Sequence, residues 1–469
     1  MRRTKIVATI GPASDAPATL DALIAGGVDV ARLNASHADI SELGARLVAV
    51  REAAGRAGAH VAVMLDLPGP KMRVGAMAAG TSLEPGHCFE LLPGECTGDS
   101  HRACMTYAGL VDDLSIGDRI MLDDGRIELR VSGLGDGAVQ TDVVVGGALS
   151  SHKGVNVPGV HLGIDAITGY DREVLAWGLE VGVDLIAQSF VRSADDVSRL
   201  RELMGASPVP IVAKIEKHEA ADEIAAIVAT ADVVMVARGD LGVETSPEEV
   251  PVLQRRIIDA CRDSGTPVIV ATQMLESMTT SPRPTRAEAS DVANAIFDRV
   301  DAVMLSAETA IGSYPVKSVE TMARISAAAE ESLSGRGSDR RRTSALTDVT
   351  RAVSAAACEL ADDLGLSAIV TATQSGATAL AVARNRPGAP VVAVTPSEVV
   401  ARRLAVVWGV RSVVAPVAPA EDNTLQSLLA AVRDAGAVAA GEKVAVTAGV
   451  ARGVPGGTDL ILVREVPRA

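Results

Sequence analysis

Aromatic side chains are nearly missing from this chain: three Phe, three Tyr and two Trp make up 2% of its 469 residues. Without them there is no stacking platform for single-stranded nucleic acid. A net charge of −15 removes the basic surface a duplex would need, so no nucleic-acid partner is expected. Long apolar runs are also lacking. Met1-Arg2-Arg3 opens like an export signal, but the run after Lys5 stops at Gly11-Pro12, and no stretch is long enough to span a bilayer. A cytoplasmic protein without membrane contact is expected. Cys88, Cys96, Cys104, Cys261 and Cys358 are odd in number and lack metal-ligand spacing, which predicts free or buried thiols. Lysine is scarce, confined to Lys5, Lys71, Lys153, Lys214, Lys217, Lys317 and Lys443. Each Lys at a strand end or loop is therefore informative, because Arg does not replace a compact point charge.

What is abundant is aliphatic: 48% of the chain is hydrophobic, and 469 residues exceed what one core organises. Three apolar β-forming runs end in polar groups, at Lys214-Ile215-Glu216, Arg238-Gly239-Asp240 and Thr272-Gln273. Five more obey the same rule: Lys5 to Ile10, Val30 to Asn34, Val61 to Leu67, Leu185 to Phe190 and Ala302 to Glu308. Eight strands separated by helix-length stretches, with chemistry at their C-terminal ends, predict a TIM barrel over 1–69 and 172–337.

The helical period disappears over 70–171. Alternation at Arg126-Ile127-Glu128-Leu129-Arg130-Val131, between turns such as Asp123-Asp124-Gly125, predicts a small inserted β-barrel on a hinge. Capping-box spacing at Ser246-Pro247-Glu248-Glu249 and Thr285-Arg286-Ala287-Glu288 marks two helix starts, the first with Pro at its first helical position. Ser334 to Ser344, rich in Gly, Ser and Arg, reads as a linker. Beyond it, strands at Ala368 to Thr373, Val391 to Thr395, Val413 to Val417, Val444 to Thr447 and Leu460 to Val463 alternate with helices, which predicts an α/β domain over 345–469 with a mostly parallel sheet.

Lys214 and Glu216 lie two apart on one strand and share a face, and Asp240 ends the next. Two carboxylates there could hold one Mg2+ or Mn2+, with Lys214 neutralising a transferring phosphoryl group. A structural Lys214–Glu216 salt bridge is the competing reading. Gly239 and Asp240 would aim backbone N–H groups at a small carboxylate, unless the turn binds nothing. Arg32, Asn34, Ser36, His37 and Asp66 cluster after the second and third strands, one Arg amid small polar groups, as a phosphate and a monovalent cation require; His37 alone could equally be an ordinary loop residue. Thr371-Ala372-Thr373-Gln374-Ser375-Gly376-Ala377-Thr378 is either a phosphate cradle or a capped helix start.

These segments resemble the pyruvate kinase family over essentially the whole chain. The likeness rests on Thr4-Lys5-Ile6-Val7-Ala8-Thr9-Ile10-Gly11-Pro12, Arg32-Leu33-Asn34 with Ser36-His37, Gly69-Pro70 followed by Arg73, Lys153-Gly154-Val155-Asn156, Lys214-Ile215-Glu216, Arg238-Gly239-Asp240-Leu241-Gly242, Ala271-Thr272-Gln273 and Pro282-Arg283-Pro284-Thr285. The resemblance implies phosphoryl transfer from phosphoenolpyruvate to ADP, giving pyruvate and ATP in the last step of glycolysis. It places Mg2+ on Glu216 and Asp240, transition-state charge on Lys214, and the substrate phosphate on Arg32. The substrate carboxylate would lie on Gly239, Asp240 and Thr272, with Thr272 near the face where the enolate is protonated. ADP would meet Asn34, His37, Arg73 and Lys153, with Asp123 or Asp124 approaching as the lid closes. It further implies a homotetramer with a C-terminal effector domain.

One departure bears on cofactors. After Asp66 this chain reads Leu67, Pro68, Gly69, Pro70 and Lys71, where most members have Thr, Lys, Gly, Pro and Glu. In K+-dependent members the ion sits among groups matching Asn34, Ser36, Asp66 and the Leu67 carbonyl. An ammonium on Lys71 can supply that charge, so K+ is not expected to be required. The effector loop lacks a cation of its own and would borrow Arg384, Arg402 or Arg452, which favours AMP or a sugar monophosphate. Two other functions compete: a carbon–carbon lyase acting on phosphoenolpyruvate or pyruvate enolates, and a degenerate sugar-phosphate-binding regulator. The first has no use for Arg73 or a lid bearing Lys153, and the second expects losses among Lys214, Glu216, Asp240 and Thr272.

Overall fold

The computed structural model describes residues 2–107, 109–135, 137–333, 349–416, 422–449 and 458–468. The Ser334 to Ser344 linker and Arg452 lie outside them, as does Val417 at the end of one expected strand. Eight parallel strands close a barrel: Lys5–Thr9, Val30–Asn34, Ala62–Leu67, Leu185–Val191, Ile211–Ile215, Val233–Ala237, Val268–Ala271 and Ala302–Leu305. Small and aliphatic side chains fill it, among them Val7, Ala62, Met64, Ala187, Val212 and Met304. Helices pack their apolar faces on its outside, so the strands are buried on both sides and read as continuous apolar runs.

The insertion leaves the barrel after Leu67. Its main sheet runs in the order Val155–Asn156, Arg119–Leu122, Ile127–Gly135, Ala138–Val145, Cys88–Pro93 and Arg102–Met105. The outgoing segment bridges the two edges of that sheet, Arg73 pairing with Gly154 and Val74 with Met105, which closes the β-rich body on itself. Phe89, Leu91, Ile120, Leu122, Leu129 and Val139 form its core. Where the chain departs, Gly69 adopts φ +67°, and a Cβ there would stand 2.8 Å from the Phe190 ring. Where it returns, Asp171 accepts the Gly69 N–H at 2.9 Å while completing the capping box of Thr168. Exit and return are thus tied at one point.

The C-terminal sheet has the order Val410–Val414, Val391–Thr395, Ala368–Ala372, Lys443–Ala448 and Leu460–Glu465, parallel except for the last pair. The strand expected from Val413 starts at Val410, because Val410 to Val414 match the full register of Val391 to Thr395. The helix expected from Pro247 starts at Val250. Ser246 N–H still reaches Glu249 Oε2 at 3.2 Å, but residues 247–249 form a turn before helical bonding begins. The Thr285–Glu288 capping box forms as expected.

Two cysteines depart from the expectation of free thiols. Cys96 and Cys104 are disulfide-bonded, their Cα atoms 5.4 Å apart. After the short strand Thr97–Gly98 the chain reverses at Asp99–His101, so that Cys104, on its strand, meets the loop before Thr97, a contact that spacing alone does not reveal. Cys88, Cys261 and Cys358 are free. Among the described residues no helix is long and apolar enough to cross a membrane.

Candidate active site

At the C-terminal rim of the barrel, Lys214 is the hub. Its ammonium is buried, 3.2 Å from Asp66 Oδ1, 2.9 Å from Glu216 Oε1 and 2.6 Å from the Ser189 hydroxyl. Three neighbouring strand ends bring these groups together. Arg32 Nε pairs with the other Asp66 oxygen at 2.6 Å, and its Nη1 donates to Thr9 Oγ1 at 3.0 Å. Burial alone would push Asp66 up, but Lys214 and Arg32 outweigh it and hold the carboxyl below its ordinary range. Burial likewise depresses Lys214, and Asp66 and Glu216 more than offset this, so it stays protonated.

Glu216 differs. Burial raises its carboxyl, Lys214 pulls it down, and the Asp240 charge pushes it up again. Its Oε2 accepts the Phe190 N–H at 2.7 Å, from a residue held at φ +55°. Asp240 Oδ1 lies 3.2 Å from Lys71 Nζ. Glu216 and Asp240 therefore form a repelling oxygen pair, the donor chemistry that suits a hard divalent cation. Among the described residues no three His, Cys, Asp or Glu converge into a closed metal cage. Mg2+ fits such an open pair, its remaining ligands being water and substrate oxygens.

Thr272 adopts φ +66° and Gln273 φ +54°, left-handed conformations that side chains other than Gly, and a β-branched one such as Thr above all, hold only under tertiary constraint. The Gly239 N–H, expected to face an anion freely, donates to Thr272 Oγ1 at 2.7 Å. Arg238 braces this turn, pairing with Asp291 at 2.6 Å and donating to the Thr272 carbonyl at 2.7 Å. Asn34 Oδ1 accepts the Ser36 N–H at 3.1 Å beside Asp66 and the buried Leu67. His37 is exposed at the rim, and partial desolvation, then Arg73, Lys71 and Arg32, depress its pKa, leaving a neutral imidazole among cations.

On the lid, Arg73 Nη1 donates to the His152 carbonyl at 3.0 Å, and Lys153 pairs with Asp123 at 2.8 Å. Asp123 and Asp124, at φ +51° and +56°, sit in the lid turn facing this strand. In the C-terminal loop, Thr373 Oγ1 accepts the Gly376 N–H at 2.9 Å, and Thr378 and Thr458 share a hydroxyl hydrogen bond of 2.8 Å. Arg402 is committed to Asp184 at 2.9 Å and Arg384 to the Asp263 carbonyl at 3.1 Å, so neither turns to the loop.

Ser189 and Arg238 are the positioning residues that sequence reasoning missed. Ser189 is a polar residue near the C-terminal end of a run already recognised as a barrel strand, as Lys214 is of its own.

A closed eight-stranded parallel barrel with an inserted β-rich lid and a charged rim defines a TIM-barrel enzyme. Residues 1–319 match the family described as pyruvate kinase, barrel domain, and 351–464 that described as pyruvate kinase, alpha/beta domain. The pyruvate kinase of Geobacillus stearothermophilus is 47% identical over 472 residues, covering 99% of this chain and 80% of that protein. That of Clostridium acetobutylicum is 41% identical over 478 residues, covering 99% of this chain and all of the relative. A crystal structure of a Cryptosporidium parvum pyruvate kinase superposes with TM-score 0.90 at 33% identity, covering 99% of this chain and 96% of that one. The chain belongs to the pyruvate kinase family, a family of phosphotransferases.

Proposed function

We propose that this site transfers the phosphoryl group of phosphoenolpyruvate to ADP, giving pyruvate and ATP as the last step of glycolysis. The observation that carries the reading is the buried Lys214 ammonium, fixed by Asp66, Glu216 and Ser189 where a phosphoryl group would pass. Arg32, already oriented by Asp66, takes the substrate phosphate. Gly239, Asp240 and Thr272 take its carboxylate once the Thr272 hydroxyl turns from the Gly239 N–H. The enol C–O–P bond breaks at phosphorus as a terminal ADP oxygen bonds to it, and Lys214 balances the charge on the moving group. The enolate left behind gains a proton at its methylene carbon on the Thr272 side.

Glu216 and Asp240 would hold Mg2+, or Mn2+, which supplies charge neutralisation of the phosphoryl oxygens. Asn34, His37, Arg73 and Lys153 receive ADP, and closing the lid excludes the water that would otherwise accept the phosphoryl group. Lys71 supplies a positive charge beside Asp240, so K+ is not required. The lid groups disfavour a lyase, and the intact Lys214, Glu216, Asp240 and Thr272 set disfavours a degenerate regulator. The protein works in the cytoplasm as a homotetramer. Its effector, bound by the hydroxyls of Thr371 to Thr378, is AMP or a sugar monophosphate. A coupled assay of pyruvate formation from phosphoenolpyruvate and ADP, with and without K+ and across a panel of sugar phosphates and AMP, tests the reading. Failure to form ATP in step with pyruvate would refute it.

A further inference from the structure

We propose that Glu244, joined to Asn156 and Lys217, is a latch that sets the position of the lid on the barrel and thereby the affinity for nucleotide. The nucleotide half of this inference rests on the proposed role of Arg73 and Lys153. Glu244 ends the helix Arg238–Glu244, one turn beyond Asp240 and on the same side of it. Its Oε1 accepts a hydrogen bond from Asn156 Nδ2 at 2.8 Å, and its Oε2 pairs with Lys217 Nζ at 3.1 Å. All three are buried, with exposures of 4%, 6% and 9% for Glu244, Asn156 and Lys217.

Each partner belongs to a segment that carries chemistry. Lys217 directly follows Glu216. Asn156 lies on the returning strand of the lid, three residues beyond Lys153, and the intervening Gly154 pairs with Arg73. One carboxylate therefore ties together the turn of Asp240, the turn of Glu216 and the lid strand nearest the nucleotide groups. A small cavity of about 40 Å3 lies beside it, lined by Lys71, Met72, Val160, Phe190 and Lys217.

The charge distribution suits a joint that must release. Lys217 and Glu244 both belong to the barrel, so the ion pair survives when the lid swings away. At this joint the lid contributes only the neutral amide of Asn156, while Lys71–Asp240 at 3.2 Å and Arg192 on the Leu162 and Ile164 carbonyls are separate ties between lid and barrel. Releasing Asn156 from Glu244 costs one hydrogen bond and strands no buried charge, because Lys217 keeps Glu244 paired.

The test is Asn156→Ala, with Asn156→Asp as the stronger form because it sets a second carboxylate against Glu244. Asn156→Ala should raise the KM for ADP about tenfold, the worth of one hydrogen bond to a charged group, while the KM for phosphoenolpyruvate stays within about twofold. Amide exchange over residues 70–75 and 152–157 should speed by a similar factor, and Asn156→Asp should exceed Asn156→Ala in both. Combined with Glu244→Gln, Asn156→Ala should add little, because both changes break one joint. Unchanged exchange in both Asn156 variants, equal rises in the two KM values, or additive effects in the double variant would overturn the latch. Arg73→Ala and Lys153→Ala serve as controls. If they leave the ADP KM unchanged, the nucleotide assignment fails, and the exchange data still decide whether Asn156 holds the lid. Should Glu244→Gln fail to fold, the two Asn156 variants decide alone.

Discussion

Replacing Lys71 with Glu tests the cofactor economy of this site. The Lys71 ammonium stands 3.2 Å from Asp240 Oδ1, with both side chains about a quarter exposed, at 29% and 25%. A unit charge at ~4 Å is worth about 4 kcal/mol at an effective dielectric of ~20 and about 1 kcal/mol in water. A pair with this exposure falls between the limits, at roughly 2–3 kcal/mol, or about 30- to 150-fold in rate if the charge acts on the transition state. Lys71→Glu also sets a third carboxylate beside Glu216 and Asp240, which should raise the Mg2+ concentration needed for half-maximal rate. The assay is kcat in K+-free buffer with a tetraalkylammonium counterion, with and without added K+. The parent should be nearly insensitive to K+, and Lys71→Glu should be slow and at least partly rescued by it. A parent activated a hundredfold by K+ would refute the reasoning.

Lys214→Met should abolish phosphoryl transfer while leaving substrate binding largely intact, since its charge matters most in the transition state; turnover within about tenfold of the parent would count against this. Glu216→Ala and Asp240→Ala, by contrast, should raise the Mg2+ requirement as well as slow the reaction, read from rate against metal concentration. His37 has a folded pKa below the ordinary 6.5, so the unfolded chain takes up its proton first. Its contribution to stability should therefore fall as pH drops below about 6.5 and level off once the folded form is also protonated. A bound diphosphate should raise that pKa, so ADP binding near pH 6 should draw in protons, seen calorimetrically in buffers of different ionisation enthalpy. Equal uptake by His37→Gln would exclude it. Activation should come from AMP or a sugar monophosphate; strong activation by fructose 1,6-bisphosphate with no response to monophosphates would disprove the loop assignment.

Much of the architecture is written in local pattern. Apolar runs of strand length ending in Lys214, Glu216, Asp240 or Asn34 announce a barrel and its chemical face together, because a strand buried on both sides tolerates a charge only where it emerges at the rim. The switch from helical period to alternation after Pro70 likewise marks the lid, and Lys71 declares itself by residue type in a chain poor in lysine. Partner choice is not local. Lys214 could have paired with Glu216 alone; closing the barrel also brings Asp66 and Ser189 to it, from positions 148 and 25 residues away. The Cys96–Cys104 bond, the Gly239 N–H taken by Thr272, and the commitment of Arg384 and Arg402 to the barrel depend in the same way on which surfaces meet. Sequence by itself determined which residues could do chemistry and at which end of the strands they stand. Only the tertiary structure decided which of them touch, because distances and the burial that shifts pKa values arise from contacts between segments far apart in the chain.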